Sequence, residues 1–212
     1  MSNFISPELQ QYLDSNVSPE PDYLRIIREE TVAEVHNPKM ISGHYQGRLL
    51  ALISKMVRPK LILEIGTYTG YSALCLAEGL TENGRLITIE KNTDLSERIK
   101  RNFSMTTLGQ KISLHIGDAH EIIPSLNISP DLVFIDGDKR GYSSYYDLLI
   151  PVIPAGGCIL VDNVLWSGKV LEESDDKKTL ALQQFNQYVS QDERVEKIIL
   201  PVRDGITLIR KR

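Results

Sequence analysis

The 212-residue chain has only two cysteines, one tryptophan and 7% aromatic residues, and it lacks any excess of basic charge, Lys and Arg numbering 24 against 28 Asp and Glu. Cys75 and Cys158 sit inside apolar runs rather than at metal or redox spacing, which excludes a disulfide framework and suggests buried thiols in a reducing, cytoplasmic setting. A net charge of −4 gives no global basic footprint for nucleic acid, so bulk electrostatics favour a small-molecule partner. No apolar run reaches membrane-spanning length, and the opening Met1-Ser2-Asn3-Phe4-Ile5-Ser6-Pro7 has no basic region leading into a long apolar one. Repeats and low-complexity stretches are absent too. With 42% hydrophobic and 25% charged residues, the length suits one globular domain with a modest extension.

Two textures divide the chain. Residues 1–58 read as a helical extension: Ser6-Pro7-Glu8 is a cap with proline in the first turn, Pro21 precedes Tyr23, Leu24, Ile26 and Ile27 at helical spacing, and Asn37-Pro38 breaks the pattern. His44 to Met56 is amphipathic and ends at Arg58-Pro59. From residue 59 onward, apolar runs alternate with helical segments. Strands are expected at 61–65, 85–90, 112–116, 132–135 and 158–161, helices at 72–79 and 93–108, and helical or loop connections near Glu121 and over 145–150. That alternation predicts a parallel α/β sheet. Residues 194–200 and 206–210 flank Arg203-Asp204-Gly205 and predict a closing hairpin. Residues 172–178 read as a charged loop or the start of a helix.

The residues that carry chemistry stand where strands end. Phe134-Ile135-Asp136-Gly137-Asp138-Lys139 and Val161-Asp162-Asn163 release Asp136, Asp162 and Asn163, the hard oxygen donors that Mg²⁺ or Ca²⁺ prefers. On parallel neighbouring strands, both ends open into one crevice. An aspartate ending a strand also caps turns, so each alone is weak. Glu64-Ile65-Gly66-Thr67-Tyr68-Thr69-Gly70 is a glycine turn leaving a strand. A dinucleotide fingerprint needs glycine where Tyr68 stands, and Glu64 repels phosphate while suiting an ammonium group. Glu90 follows Gly70 by twenty residues, the spacing of a ribose-gripping carboxylate. Ribose without pyrophosphate points to S-adenosylmethionine.

At this level the strings Leu63-Glu64-Ile65-Gly66-Thr67-Tyr68-Thr69-Gly70-Tyr71-Ser72, Asp136-Gly137-Asp138-Lys139, Asp162-Asn163-Val164-Leu165-Trp166 and Pro201-Val202-Arg203-Asp204-Gly205-Ile206 resemble the cation-dependent class I O-methyltransferases, typified by caffeoyl-CoA and catechol O-methyltransferases. The resemblance implies a Rossmann-like, doubly wound, seven-stranded sheet, mostly parallel with an antiparallel C-terminal hairpin and helices on both faces. It also implies that Ser42, Glu64, Gly66, Thr67, Tyr68, Ser72, Glu90 and Ala119 line the S-adenosylmethionine site, with Asp138 close by. Asp136, Asp162 and Asn163 would hold a divalent cation, Mg²⁺ first and Ca²⁺ or Mn²⁺ as alternatives, and Lys139 would be the general base beside Asp136. A homodimer through the N-terminal helices belongs to the same expectation.

The expected chemistry is attack of an acceptor hydroxyl on the sulfonium methyl, with two vicinal hydroxyls oriented by the cation and Lys139 taking the proton if the neighbouring metal and burial depress its pKa. Trp166 either walls the acceptor or covers the sheet edge, and His120 sits either near adenine or on the surface. Thr207 replaces the substrate-facing glutamate of the catechol enzyme, and Ser167 replaces an asparagine of the caffeoyl-CoA enzymes. A catechol-like small molecule is therefore the leading acceptor, with 5-hydroxyuridine in tRNA as the alternative. Arg58, Lys60, Lys100, Arg101, Lys111 and the Arg210-Lys211-Arg212 tail offer a local basic patch for tRNA. A nicotinamide-dependent oxidoreductase and a non-catalytic binding module are the readings from other classes.

Overall fold

The computed structural model describes residues 5–212; Met1 to Phe4, which the extension and the opening motif include, lie outside the described residues. Seven strands, β1 Leu61–Ile65, β2 Arg85–Glu90, β3 Ile112–Ile116, β4 Leu132–Ile135, β5 Cys158–Asp162, β6 Val195–Leu200 and β7 Ile206–Lys211, form one sheet in the order β3-β2-β1-β4-β5-β7-β6. β1 to β5 are mutually parallel. β7 inserts antiparallel between β5 and β6, as the hairpin signal predicts. Strand order reverses between β1 and β4, and ligands of open α/β sheets bind outside the carboxyl ends at such a point.

Among the described residues eight α-helices accompany the sheet: α1 Pro7–Ser15, α2 Asp22–Glu34, α3 Gly43–Val57, α4 Tyr71–Ala77, α5 Ser96–Ser104, α6 Ala119–Leu126, α7 Tyr142–Leu149 and α8 Lys177–Gln191. Alternation along the strands sorts their side chains to two cores. Leu63, Ile65, Val133, Ile135, Ile159 and Val161 face α6, α7 and α8, meeting Ile123, Tyr146, Leu182 and Phe185. Ile62, Leu132, Phe134 and Leu160 face the other way, onto Leu24 and Ile27 of α2, Leu50 and Ile53 of α3, and Leu74 of α4. Each fully buried Leu, Ile or Phe contributes roughly 1.5–3 kcal/mol, so α2 and α3 are energetically part of the sheet's cover.

Two elements differ from the sequence reading. The helix expected over 93–108 is broken into a 3₁₀ turn at Thr93–Leu95, α5, and a second 3₁₀ turn at Thr107–Lys111. Helix α8 starts inside the charged stretch 172–178, read as a loop or helix start, and runs for fifteen residues, on through a segment for which no element was expected. Its buried stripe is thin, Thr179, Leu182, Phe185 and Val189, and the glutamines between dilute the periodic signal. Asp176 starts it by accepting from the Thr179 N–H at 2.8 Å.

Candidate active site

A cavity of about 1150 Å³ opens at the carboxyl ends of β1, β2, β4 and β5. One half is built by the turn after β1. Gly66 has φ +98, Tyr68 φ +50 and Gly70 φ +85, a run of left-handed conformations that brings the backbone close under the cavity. Glu90, ending β2, accepts the Tyr68 N–H at 2.7 Å and the Asn92 N–H at 2.8 Å. Both carboxylate oxygens are thereby fixed at the rim, each retaining lone pairs for hydroxyl donors. The Tyr68 hydroxyl donates to the carbonyls of His36 and Asn37 at 3.2 and 3.3 Å, drawing the segment before α3 over this half. His120 lines the cavity, stacks on Tyr145 at 4.5 Å and lies 2.6 Å from the Ser144 hydroxyl.

Five of the residues expected for the methyl donor, Gly66, Tyr68, Glu90, Ala119 and Asp138, line the cavity. Ser42, Glu64, Thr67 and Ser72 are buried outside its lining. Glu64 has no exposed surface, and its oxygens accept from Ser72 Oγ at 2.6 Å and Thr88 Oγ1 at 2.5 Å; Thr67 Oγ1 lies 2.5 Å from Thr88 Oγ1. Burial pushes the Glu64 carboxyl up to about 8, Asp136 and Glu90 adding to the rise against the two hydroxyls. The unfolded chain releases this proton near 4.5, so the folded state holds more protons between those values and stability falls as pH rises from about 4.5 to about 8. The slope from this group is at most about 1.4 kcal/mol per pH unit. Glu64→Gln is expected to flatten the decline, so thermal melts of parent and variant should diverge, variant higher, between pH 5 and 8; parallel curves would refute the buried neutral carboxyl.

The other half holds the oxygen donors. Asp136, Asp162 and Asn163 all line the cavity, two of them one step beyond β4 and β5 and Asp162 at the end of β5. Asp162 is 3% exposed; its Oδ2 accepts from the Gln46 amide at 2.6 Å and its Oδ1 from the Asn163 N–H at 2.7 Å. Burial, then Asp136, raises its pKa to about 6 against the opposing fields of Lys139, Gln46 and Arg203. Among the described residues no three His, Cys, Asp or Glu side chains cluster as a metal site. The expected set has two carboxylates and an amide, and the Asp136 charge disfavours ionisation of Asp162, a repulsion a hard cation would relieve. By donor chemistry, the residues present fit one.

Lys139 is buried, 2.8 Å from Asp136 Oδ1 and 2.7 Å from the Tyr142 hydroxyl, which donates onward to the Asp162 carbonyl at 3.0 Å. Asp138 instead pairs with Arg140. Among the chain's own groups, burial pulls the Lys139 pKa down, but Asp136, Tyr142 and Asp162 outweigh burial and raise it; the lowering expected from a neighbouring metal together with burial belongs to the loaded site. Trp166 lines the cavity with φ +46, followed by Ser167 at +58, whose N–H donates to Asp204 Oδ1. Gln46 and Tyr142 escaped the sequence reading. Tyr142 lies three residues past Lys139, a helical spacing that signals contact; for Gln46, 116 residues before Asp162, no local signal exists.

The O-methyltransferase family profile matches residues 14–212. The chain belongs to the O-methyltransferase family. Similar proteins include caffeoyl-CoA O-methyltransferase 2 of Zea mays, 33% identical over 97% of this chain and 83% of the relative, and the catechol O-methyltransferase domain-containing protein 1 of Mus musculus, 32% identical over 94% and 78%. Among solved structures, the SAH-bound methyltransferase PaMTH1 of Podospora anserina superposes with a TM-score of 0.89 at 29% identity, covering 97% of this chain and 94% of that one. This O-methyltransferase therefore has the fold and the enzyme class expected, S-adenosylmethionine-dependent O-methyl transfer. Membership sets aside the nicotinamide-dependent and non-catalytic readings. Among the described residues no helix is long and apolar enough to cross a membrane.

Proposed function

We propose that this enzyme moves the methyl group of S-adenosylmethionine to one of two adjacent hydroxyls on a small catechol-like aromatic, assisted by a divalent cation at Asp136, Asp162 and Asn163. The observation that carries the reading is that these three donors and Lys139 share one cavity with Gly66, Tyr68 and Glu90. Glu90 would grip the ribose hydroxyls, while the carboxylates of Asp136 and Asp162 bordering the cavity favour a sulfonium ligand. The acceptor oxygen attacks the methyl carbon in line, the C–S bond breaks with its electron pair on sulfur, and the hydroxyl proton passes to Lys139 Nζ once that nitrogen has given its own extra proton to solvent. A cation, when bound, supplies charge that lowers the acceptor hydroxyl's pKa and opposes the field that keeps Lys139 protonated. Positioning of the two reactants can supply roughly 7–11 kcal/mol of the barrier.

Most of the basic patch that would suit tRNA is already engaged. Lys100 pairs with Glu97, Arg101 with Glu30 and Arg210 with Glu196, while Lys111 and Lys211 donate to backbone carbonyls. That supports a small acceptor. The reading includes a cytoplasmic setting, consistent with free thiols at Cys75 and Cys158, and a homodimer burying exposed Leu52 and Met56 of α3. Labelled S-adenosylmethionine offered with a catechol panel and with hydroxyuridine-containing tRNA tests it: methylation of at least one catechol is expected, lost in EDTA and restored by Mg²⁺. Chelator-resistant turnover would overturn the cation's role, and methylation of tRNA alone would overturn the acceptor class.

A further inference from the structure

Gln46 makes no contribution to the chemistry above, yet it is 1% exposed and lies beside the deepest of the donors. It projects from the second turn of α3, and its side chain bridges two segments distant in sequence. Its Nε2 donates to Asp162 Oδ2 at 2.6 Å; its Oε1 accepts from Arg203 Nη1 at 3.3 Å, in the turn between β6 and β7. Arg203 also donates to the carbonyls of Ile41 and Ser42, so the guanidinium is anchored to the residues just before α3.

This arrangement removes the ambiguity of a buried amide. Guanidinium has donors only, so the amide oxygen must face Arg203, and the NH₂ must then face Asp162. The Asp162 carboxylate is held from both sides, by the Gln46 amide on Oδ2 and by the Asn163 N–H on Oδ1, which fixes the plane of the group. Each oxygen keeps a further lone pair, and the carboxylate borders the cavity that Asp136 and Asn163 share.

We propose that Gln46, locked by Arg203, is a positioning residue that aims the Asp162 carboxylate at the cation, coupling α3 and the β6–β7 turn to the strength of metal binding. The inference rests on the divalent-cation reading above. Outer partners of metal-ligating carboxylates typically set affinity by about 10–100-fold.

Mn²⁺ titration of the full chain, read by the electron paramagnetic resonance of the free ion, decides it alongside calorimetric binding of S-adenosylmethionine without metal. Gln46→Met keeps the volume and removes both hydrogen bonds. It is expected to weaken Mn²⁺ binding by about 10–100-fold while donor affinity stays within about twofold. Gln46→Asn keeps an amide too short to reach, should act in the same direction, and decides the matter if the methionine variant does not fold. Unchanged Mn²⁺ affinity in the variants, with a parent that binds Mn²⁺, overturns the inference and leaves the cation reading standing. Equal loss of Mn²⁺ and donor binding also overturns it, as a general structural role would produce. A parent that binds no Mn²⁺ overturns both.

Discussion

Asp136→Ala is expected to lower kcat/KM for methyl transfer by on the order of 10³-fold, about 4 kcal/mol of transition-state stabilisation. Three consequences converge on this one carboxylate. It is an oxygen donor of the cation site, it is the partner of Lys139 at 2.8 Å, and its charge helps raise the Asp162 pKa. Alanine removes the donor and leaves the Lys139 ammonium facing the Tyr142 hydroxyl with Asp162 beyond. Breaking a buried ion pair costs roughly 3–5 kcal/mol, and the loss here should fall below that range because the Asp136 side chain keeps 20% of its exposure. Asp136→Asn separates the effects: it preserves shape and one oxygen, so its melting temperature should stay nearer the parent's while Mn²⁺ affinity and turnover still fall. Steady-state kinetics, the Mn²⁺ titration and thermal melts of both variants check this. Turnover within tenfold of the parent in Asp136→Ala, with the protein folded, would sink the assignment.

What the sequence made legible follows from how far each signal reaches along the chain. The central strands are continuous apolar runs because both faces of a parallel sheet are covered, and their ends fall within a residue of the expected ones. Asp136, Asp162 and Asn163 were legible for the same reason, since the end of such a run is a local feature that topology carries to the crevice. Helix α8 was not, because its glutamines satisfy the solvent face without marking a period. The burial of Glu64 was equally hidden: a carboxylate in β1 becomes tolerable only through hydroxyls that α4 and β2 bring from Ser72 and Thr88. Lys139 shows the limit most sharply. Its identity was readable, but the sign of its pKa shift depends on whether Asp136 and Asp162 outweigh burial, which only their placement decides.

Gly66→Ala should be the most destabilising single-methyl change at the site. The residue sits at φ +98, and a Cβ there would lie 2.3 Å from the Asp136 carbonyl oxygen and 2.8 Å from its carbon. Those atoms belong to backbone held in the sheet, where the Asp136 N–H donates to the Ile65 carbonyl at 2.9 Å, so no side-chain tip can swing aside. The methyl must instead wedge the exits of β1 and β4 apart, displacing Asp136. Left-handed strain of about 1–2 kcal/mol adds to overpacking of about 1–3 kcal/mol, together roughly 2–5 kcal/mol. For a chain of this length that is a melting-temperature loss of about 5–15 °C. Gly168→Ala supplies the comparison: its φ is +84, yet nothing lies within 4 Å of the added carbon, so it should show the backbone strain alone. S-adenosylmethionine affinity should fall in the Gly66 variant and hold in the Gly168 variant, because the glycine turn lines the cavity at Gly66. Melts of the two variants that agree within about 2 °C would show that the close approach of the β1 turn to Asp136 is not what requires glycine there.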